Sequence, residues 1–354
     1  MSQRHKRRPV MKKNLDWENL GFSYMPADYR YNAVWKDGEW SEGELITDPD
    51  VHINECAGVL QYAQGAFEGL KAYETKDGRV VTFRPELNAE RMIGSAERLE
   101  IPPVPKDMFI DAVDRTVAAN RDLVPPFGSG ATLYVRPYVF GSGPVINVAS
   151  APEFTFRVIV MPVGPYFRGG GGMAKPVTVR ISDFDRAAPE GTGGFKVGLN
   201  YAMSLHAAAA AHEEGFAETI YLDPKTHTKI EEAGGMNVIF IDKKGALVTP
   251  KSDSILPSVT RRSIVAIAKD MLGMDVEERE VTLEEVPGFE ECGLCGTAAV
   301  ICPVGRINDH GREIVFPCGD EKAGPVLRKL YETLTGIQMG TVEGPEGWLH
   351  EIKI

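Results

Sequence analysis

Lys196 is the sole charged residue between Glu190 and Glu213, in the run GTGGFKVGLNYA at residues 191–202. Gly191, Gly193 and Gly194 precede it, and the apolar Phe195, Val197 and Leu199 flank it. A lysine kept partly out of water loses some of its preference for the ammonium form and becomes a nucleophile. Glycines let a flat ligand or a second stretch of backbone come close. The segment alone leaves two readings open. One is an amine that condenses with a carbonyl ligand such as pyridoxal phosphate. The other is a strand-end lysine whose stem lies on apolar surface while its head stays in water.

Pyridoxal phosphate demands further groups, and the chain has a candidate for each. The pyridinium nitrogen needs an acid that keeps the ring protonated. Glu231 and Glu232 stand at a strand end in IEEAGGMN, 230–237, where alternation turns one of them inward. Tyr201 offers a hydroxyl for the ring oxygen. A phosphate group needs the free amides of a helix N-terminus and an arginine. SVTRRSIV, 258–265, opens a helix with Val259 and Thr260, CGTAAV adds Thr297, and NAERMIG presents Arg91. Each of these residues also has a plain structural reading, as a strand-end acid, a strand threonine or a helix-covering arginine.

The elements that must position these groups are legible as periodicities. GAFEGLKAYETKDGRVVTFRP, 65–85, reads as strand, Asp-Gly turn, strand. PELNAERMIGSAERLEIP, 85–102, reads as a helix with Pro85 in its first turn and Met92, Ala96 and Leu99 at helical spacing. KDMFIDAVDRTVAANRDLV is a second helix, and GATLYVRPYVFG and EFTFRVIVMPVG are strands. After Lys196 come a helix, NYAMSLHAAAAAHEEG, which stops at Gly215, and two hairpins, AETIYLDPKTHTKIEE and MNVIFIDKKGALVTP. SILPSVTRRSIVAIAKDMLG feeds a helix, GTAAVICPVGRI reads as a strand pair, and KAGPVLRKLYETLTG is a late helix. The expected fold class is mixed α/β, of the α+β kind, in two domains with the site between them. The expected divisions are a disordered basic tail at 1–16, a small domain at 17–164, a linker at 165–175 around Gly169 to Gly172, and a large domain at 176–354.

Bulk properties narrow the function classes. The formal net charge of −11 argues against non-specific nucleic-acid binding, which needs clustered positive charge. The one basic run, RHKRRPVMKK, has no apolar segment behind it and is not a signal peptide. No stretch approaches the roughly 20 apolar residues of a membrane span. The five cysteines, Cys56, Cys292, Cys295, Cys302 and Cys318, are odd in number and sparse, as expected of reduced thiols in a cytoplasmic protein. Cys292 and Cys295 have the spacing of half a zinc site, but Cys302 and Cys318 do not complete it, so no metal is expected. His212 in HEEGF has no second histidine at helical spacing to make a metalloprotease helix.

FEGLKAY, FRPELNAERM, SAERL, LYVRP, PVGPYF, KVGLNYA, EEAGGMNVIF, ILPSVTRRSI and GTAAVICPV occur in that order. Together they resemble the branched-chain amino-acid aminotransferases, pyridoxal phosphate enzymes of fold type IV. The likeness runs from about residue 17 to the C-terminus. It implies that Lys196 carries the cofactor, Tyr201 bonds the ring oxygen, and Glu232 faces the pyridinium nitrogen. Leu256 packs on the ring, and Arg91, rather than Arg84, joins Val259, Thr260 and Thr297 around the phosphate. By the same likeness Tyr24, Phe67 and Tyr166 wall the substrate pocket and Tyr62 and Tyr134 add hydroxyls. Arg136 takes the side-chain carboxylate of glutamate, and amides near Gly235 and Ala298 meet the α-carboxylate. Ile146 and Val148 belong to a loop lent by the partner subunit of a homodimer. The implied reaction is a reversible ping-pong exchange of the amino group between leucine, isoleucine or valine and 2-oxoglutarate, giving glutamate. D-Amino-acid aminotransferase and aminodeoxychorismate lyase share the fold type but are expected to lack the LYVRP and GPYF pattern. Leu199 and Ser258 stand where the family often has glycine, and Ala299 breaks a Cys-x-x-Cys pair found in some members.

Overall fold

Alternating side chains build the first half of the chain. In the strand Thr132–Gly141, Leu133, Val135 and Val139 enter a core with Tyr31, Phe109, Phe154 and Phe156. Tyr134 and Arg136 therefore occupy the opposite face. The computed structural model describes residues 12–167 and 172–354. In it, Thr132–Gly141 pairs antiparallel with Phe154–Val163 from Thr132↔Val163 to Gly141↔Phe154. These two strands are the middle of a nine-stranded antiparallel sheet. The helices Pro85–Arg98 and Lys106–Ala119 bury Ala89, Met92, Ala96, Phe109 and Val113 in its core.

The second half forms another nine-stranded sheet. Glu232 pairs with Asn237 across the strands Ile230–Ala233 and Asn237–Ile241. That pairing closes Ile230–Ala233, Glu218–Leu222, Val177–Ile181, Val300–Asp309, Glu291–Gly296 and Asn237–Ile241 into a six-stranded barrel. The helices Val259–Ala266 and Pro325–Gln338 cover one flank. Their core joins the two sheets: Tyr73, Val81 and Phe83 of the first pack with Ile239, Leu247, Ile264, Leu327 and Leu330 of the second half.

Three details depart from the expectations. Within the predicted tail, Lys12 is packed against the body, bonded to Glu74 and to the Val124 carbonyl; residues 1–11 lie outside the described residues, as do 168–171 of the predicted linker. The last strand, Leu349–Glu351, leaves the second half and pairs with Val80–Phe83 of the first sheet. GTAAVICPVGRI is a turn at Thr297–Ala299 followed by one strand, Val300–Asp309. Among the described residues no helix is long and apolar enough to cross a membrane.

Candidate active site

A cleft of about 550 Å³ opens between the two sheets, and Lys196 lies on its wall. The lysine reaches it through a short bridge: Ala66 pairs with Val197, and the Phe67 amide donates to the Lys196 carbonyl at 3.1 Å. Ser95 Oγ accepts from the Lys196 amide at 2.8 Å. The helix Gly198–Glu213 then carries Tyr201 back over the amine, whose Nζ donates to the Tyr201 hydroxyl at 2.8 Å. Nζ also sits 4.7 Å from the centre of the Phe67 ring and 5.0 Å from that of Tyr201. The glycines around the lysine have a steric cause only in part. A Cβ on Gly193 or Gly194 would fall against the carbonyl oxygens of Ser254 and Asp253, whereas Gly198 faces open space.

Glu232 stands at the barrel seam, 3% exposed. Its Oε1 accepts the Leu256 amide at 3.0 Å and pairs with Arg186 Nη2 at 2.5 Å; its Oε2 accepts the Asn237 amide group at 2.7 Å. Burial pushes this carboxyl up to about 7, against the pull of the Arg186 guanidinium and the Leu256 amide. Glu231, its neighbour, turns to Ser252 instead, as strand alternation requires.

Helix periodicity assembles the opposite wall. Asn88, Arg91 and Ser95 share one face of the helix Pro85–Arg98. Arg91 grips the fully buried Glu68 in a two-pronged bond, Nε to Oε1 at 2.7 Å and Nη2 to Oε2 at 2.8 Å, and Asn88 adds a third at 2.7 Å. Burial works against the Glu68 carboxylate, yet Arg91 and Asn88 hold it below the usual range. The remaining Arg91 prong, Nη1, donates to the Pro257 carbonyl at 3.1 Å, just before the helix Val259–Ala266. Ser258 caps that helix by accepting from the Arg261 amide, which leaves the first amides, of Val259 and Thr260, without helical partners. Val259 and Thr260 line a small cavity beside the cleft, and Thr297 lines both. The turn that carries Thr297 and Ala298 ends at Val300, whose φ of 62° is strained for a β-branched residue.

The cleft brings together most of the residues predicted for it: Arg91, Lys196, Tyr201, Glu232, Leu256 and Thr297, with Phe67, Tyr134, Arg136, Tyr166, Gly235 and Ala298. Arg136 lies 4.6 Å over the Phe67 ring and donates to the Tyr134 hydroxyl at 2.9 Å; its Nε has no partner among the described residues. Tyr24, Tyr62, Ile146 and Val148 do not line the cleft of their own chain. Tyr24 is 69%, Ile146 70% and Val148 90% exposed, and Tyr62 bonds the Ile146 carbonyl. Phe22 takes the place expected for Tyr24, edge-on to Tyr134 and Tyr166. Sequence reasoning missed Arg186 and Glu218, which line the cleft, and Glu68, which is buried behind Arg91. Glu218, whose carboxyl burial pushes up, lines the cleft beside Gly234. All five cysteines are free, and among the described residues no group of three or more metal-binding side chains comes together.

A buried acid, an amine between aromatic rings and a set of anion-binding donors, lining one cleft and the small cavity beside it, fit a flat, phosphorylated, nitrogenous ring. The model of the class IV amino-transferases matches residues 65–307, and the chain belongs to that family of pyridoxal phosphate enzymes. Over 346 residues, 96% of this chain and 100% of the relative, it is 52% identical to the branched-chain-amino-acid aminotransferase of Haemophilus influenzae. Among solved structures, it resembles the Escherichia coli branched-chain amino acid aminotransferase with a TM-score of 0.77 at 26% identity, covering 92% of this chain and 100% of that one. It also resembles the branched-chain aminotransferase of Thermoproteus uzoniensis with norvaline, with a TM-score of 0.74 at 28% identity over 91% and 100% of the two chains.

Proposed function

We propose that this chain transfers amino groups between L-leucine, L-isoleucine or L-valine and 2-oxoglutarate, yielding branched 2-oxo acids and L-glutamate. The observation that carries the reading is the pairing, in one cleft, of Lys196 under Tyr201 with the buried Glu232. Arg91, the Val259 and Thr260 amides and the Thr297 hydroxyl would hold the phosphate, Leu256 the ring face, Tyr201 the ring oxygen and Glu232 the ring nitrogen. Bound there, pyridoxal 5'-phosphate supplies an electrophilic carbon and an electron sink that makes the α-proton of an amino acid acidic. Lys196 takes that proton and returns it elsewhere, acting as general base and then general acid. Tyr201 orients the amine.

The pocket beside the lysine has two characters. Phe22, Phe67, Tyr134 and Tyr166 form a wall suited to a branched alkyl group. Arg136, with one unpartnered nitrogen among the described residues, supplies the cation for the second carboxylate of glutamate. Amides near Gly235 and Ala298 receive the α-carboxylate. Tyr62, held to the Ile146 carbonyl, travels with the exposed Ile146 and Val148 loop, and all three complete the cleft of a partner subunit in a homodimer. With no cysteine paired, a reducing cytoplasm suits the chain.

A panel of L-leucine, L-valine and D-alanine, each with 2-oxoglutarate, tests the reading on purified protein. Turnover of the L-branched substrates supports it. Turnover of D-alanine alone, or release of pyruvate from aminodeoxychorismate, assigns the fold to a different reaction.

A further inference from the structure

The segment that leads from the strand Val177–Ile181 to Lys196 folds against the turn at residues 252–256, and Arg186 anchors it there. Arg186 Nη2 donates to the Gly193 carbonyl at 2.9 Å and to the Ser254 carbonyl at 2.6 Å while pairing with Glu232 at 2.5 Å. The two side chains of this pair are 5% and 4% exposed. The other partners of the Glu232 carboxylate, the Leu256 and Asn237 amides, are neutral, and among the described residues Arg186 is the only cation within ion-pair distance of it. Burial favours the uncharged acid there, and an uncharged acid cannot hold a proton on a ring nitrogen.

We propose that Arg186 is the positioning residue that stabilises the ionised form of Glu232 and fixes it at the cleft wall, and that the same guanidinium sets the path of the chain into Lys196. One side chain thus links the acid and the amine. The inference rests on the proposed function for the use made of Glu232, but the charge coupling itself is readable without any substrate.

A double-variant cycle on the full chain, purified with its cofactor and followed by thermal unfolding, tests the coupling. Arg186→Met lowers Tm by stranding a buried carboxylate, and adding Glu232→Gln to it raises Tm again, although Glu232→Gln alone lowers it. Equal lowering by Glu232→Gln in both backgrounds overturns the proposal. If Arg186→Met gives no folded protein, the double variant decides: recovery of folded protein supports the coupling and failure to recover contradicts it. The pH profile gives a second reading. Removing a cation beside an acid raises the pH at which the acid ionises. In Arg186→Gln the acidic limb of kcat/KM therefore moves upward by about one pH unit, roughly tenfold lost rate below it, while Arg186→Lys restores most of the wild-type limb. Superimposable Arg186→Gln and wild-type profiles contradict the proposal. Absence of branched-chain turnover in the wild type would sink the proposed function while leaving the thermal cycle intact.

Discussion

At the scale of single residues, the groups legible in the sequence were those whose chemistry is unusual where they stand. Lys196 stood out because no other charge lies near it in the chain, and Tyr201, Glu232 and Arg91 because a phosphorylated ring requires a hydroxyl, an acid and an arginine. Glu68 and Arg186 gave no such signal. Each touches other protein groups, from Asn88 and Arg91 to Glu232 and Ser254, and a contact between residues distant in sequence leaves no local pattern. Glu68 nevertheless governs Arg91, since a guanidinium fixed in a two-pronged bond presents its remaining donors in one orientation. Glu68→Gln should strand the Arg91 charge and cost roughly 3–5 kcal/mol of stability, as breaking a buried pair does. Urea unfolding at neutral pH measures it, and wild-type stability in the variant would show that the pair carries nothing. The same variant should bind pyridoxal 5'-phosphate more weakly, by about tenfold for each ~1.4 kcal/mol lost from the phosphate site.

Among the elements, helices and long strands were legible because their periods are strong. The helix Pro85–Arg98 follows its Pro85 and its buried positions, and the spacing of Asn88, Arg91 and Ser95 puts the three site groups on one face. The glycines before Lys196 were legible as a need for close approach, but what approaches is the Asp253–Ser254 backbone. Gly193→Ala should cost ~1–3 kcal/mol through overpacking and lower kcat by displacing Lys196. Gly198→Ala, where a Cβ meets open space in an exposed first helical position, should stay within ~0.5 kcal/mol of wild type. Thermal unfolding and leucine turnover of the two variants separate them; equal losses would mean that the Ser254 contact is not the constraint. Ser258, a departure from the family pattern, has a local cause in the cap it provides to Arg261. The turn at Thr297–Ala299 escaped detection because nothing in GTAAVICPV marks the left-handed Val300.

For the whole molecule, individual strands were legible but the joins between them were not. The Glu232–Asn237 pairing closes the barrel, and the C-terminal Leu349–Glu351 strand returns to the first sheet; both are long-range or corner pairings with no periodic trace. Val148 is 90% exposed, and the proposed homodimer would cover it. Val148→Asp should shift the protein toward monomer in light scattering and lower kcat/KM for leucine, because a carboxylate buried without a partner is costly, by several kcal/mol. A dimer with wild-type kinetics would contradict a shared cleft. Both sheets converge on one amine, that of Lys196. Borohydride reduction of the purified protein, followed by digestion and mass mapping, should find the pyridoxyl group on the peptide carrying Lys196. Its appearance on any other lysine, or on none, would contradict the account.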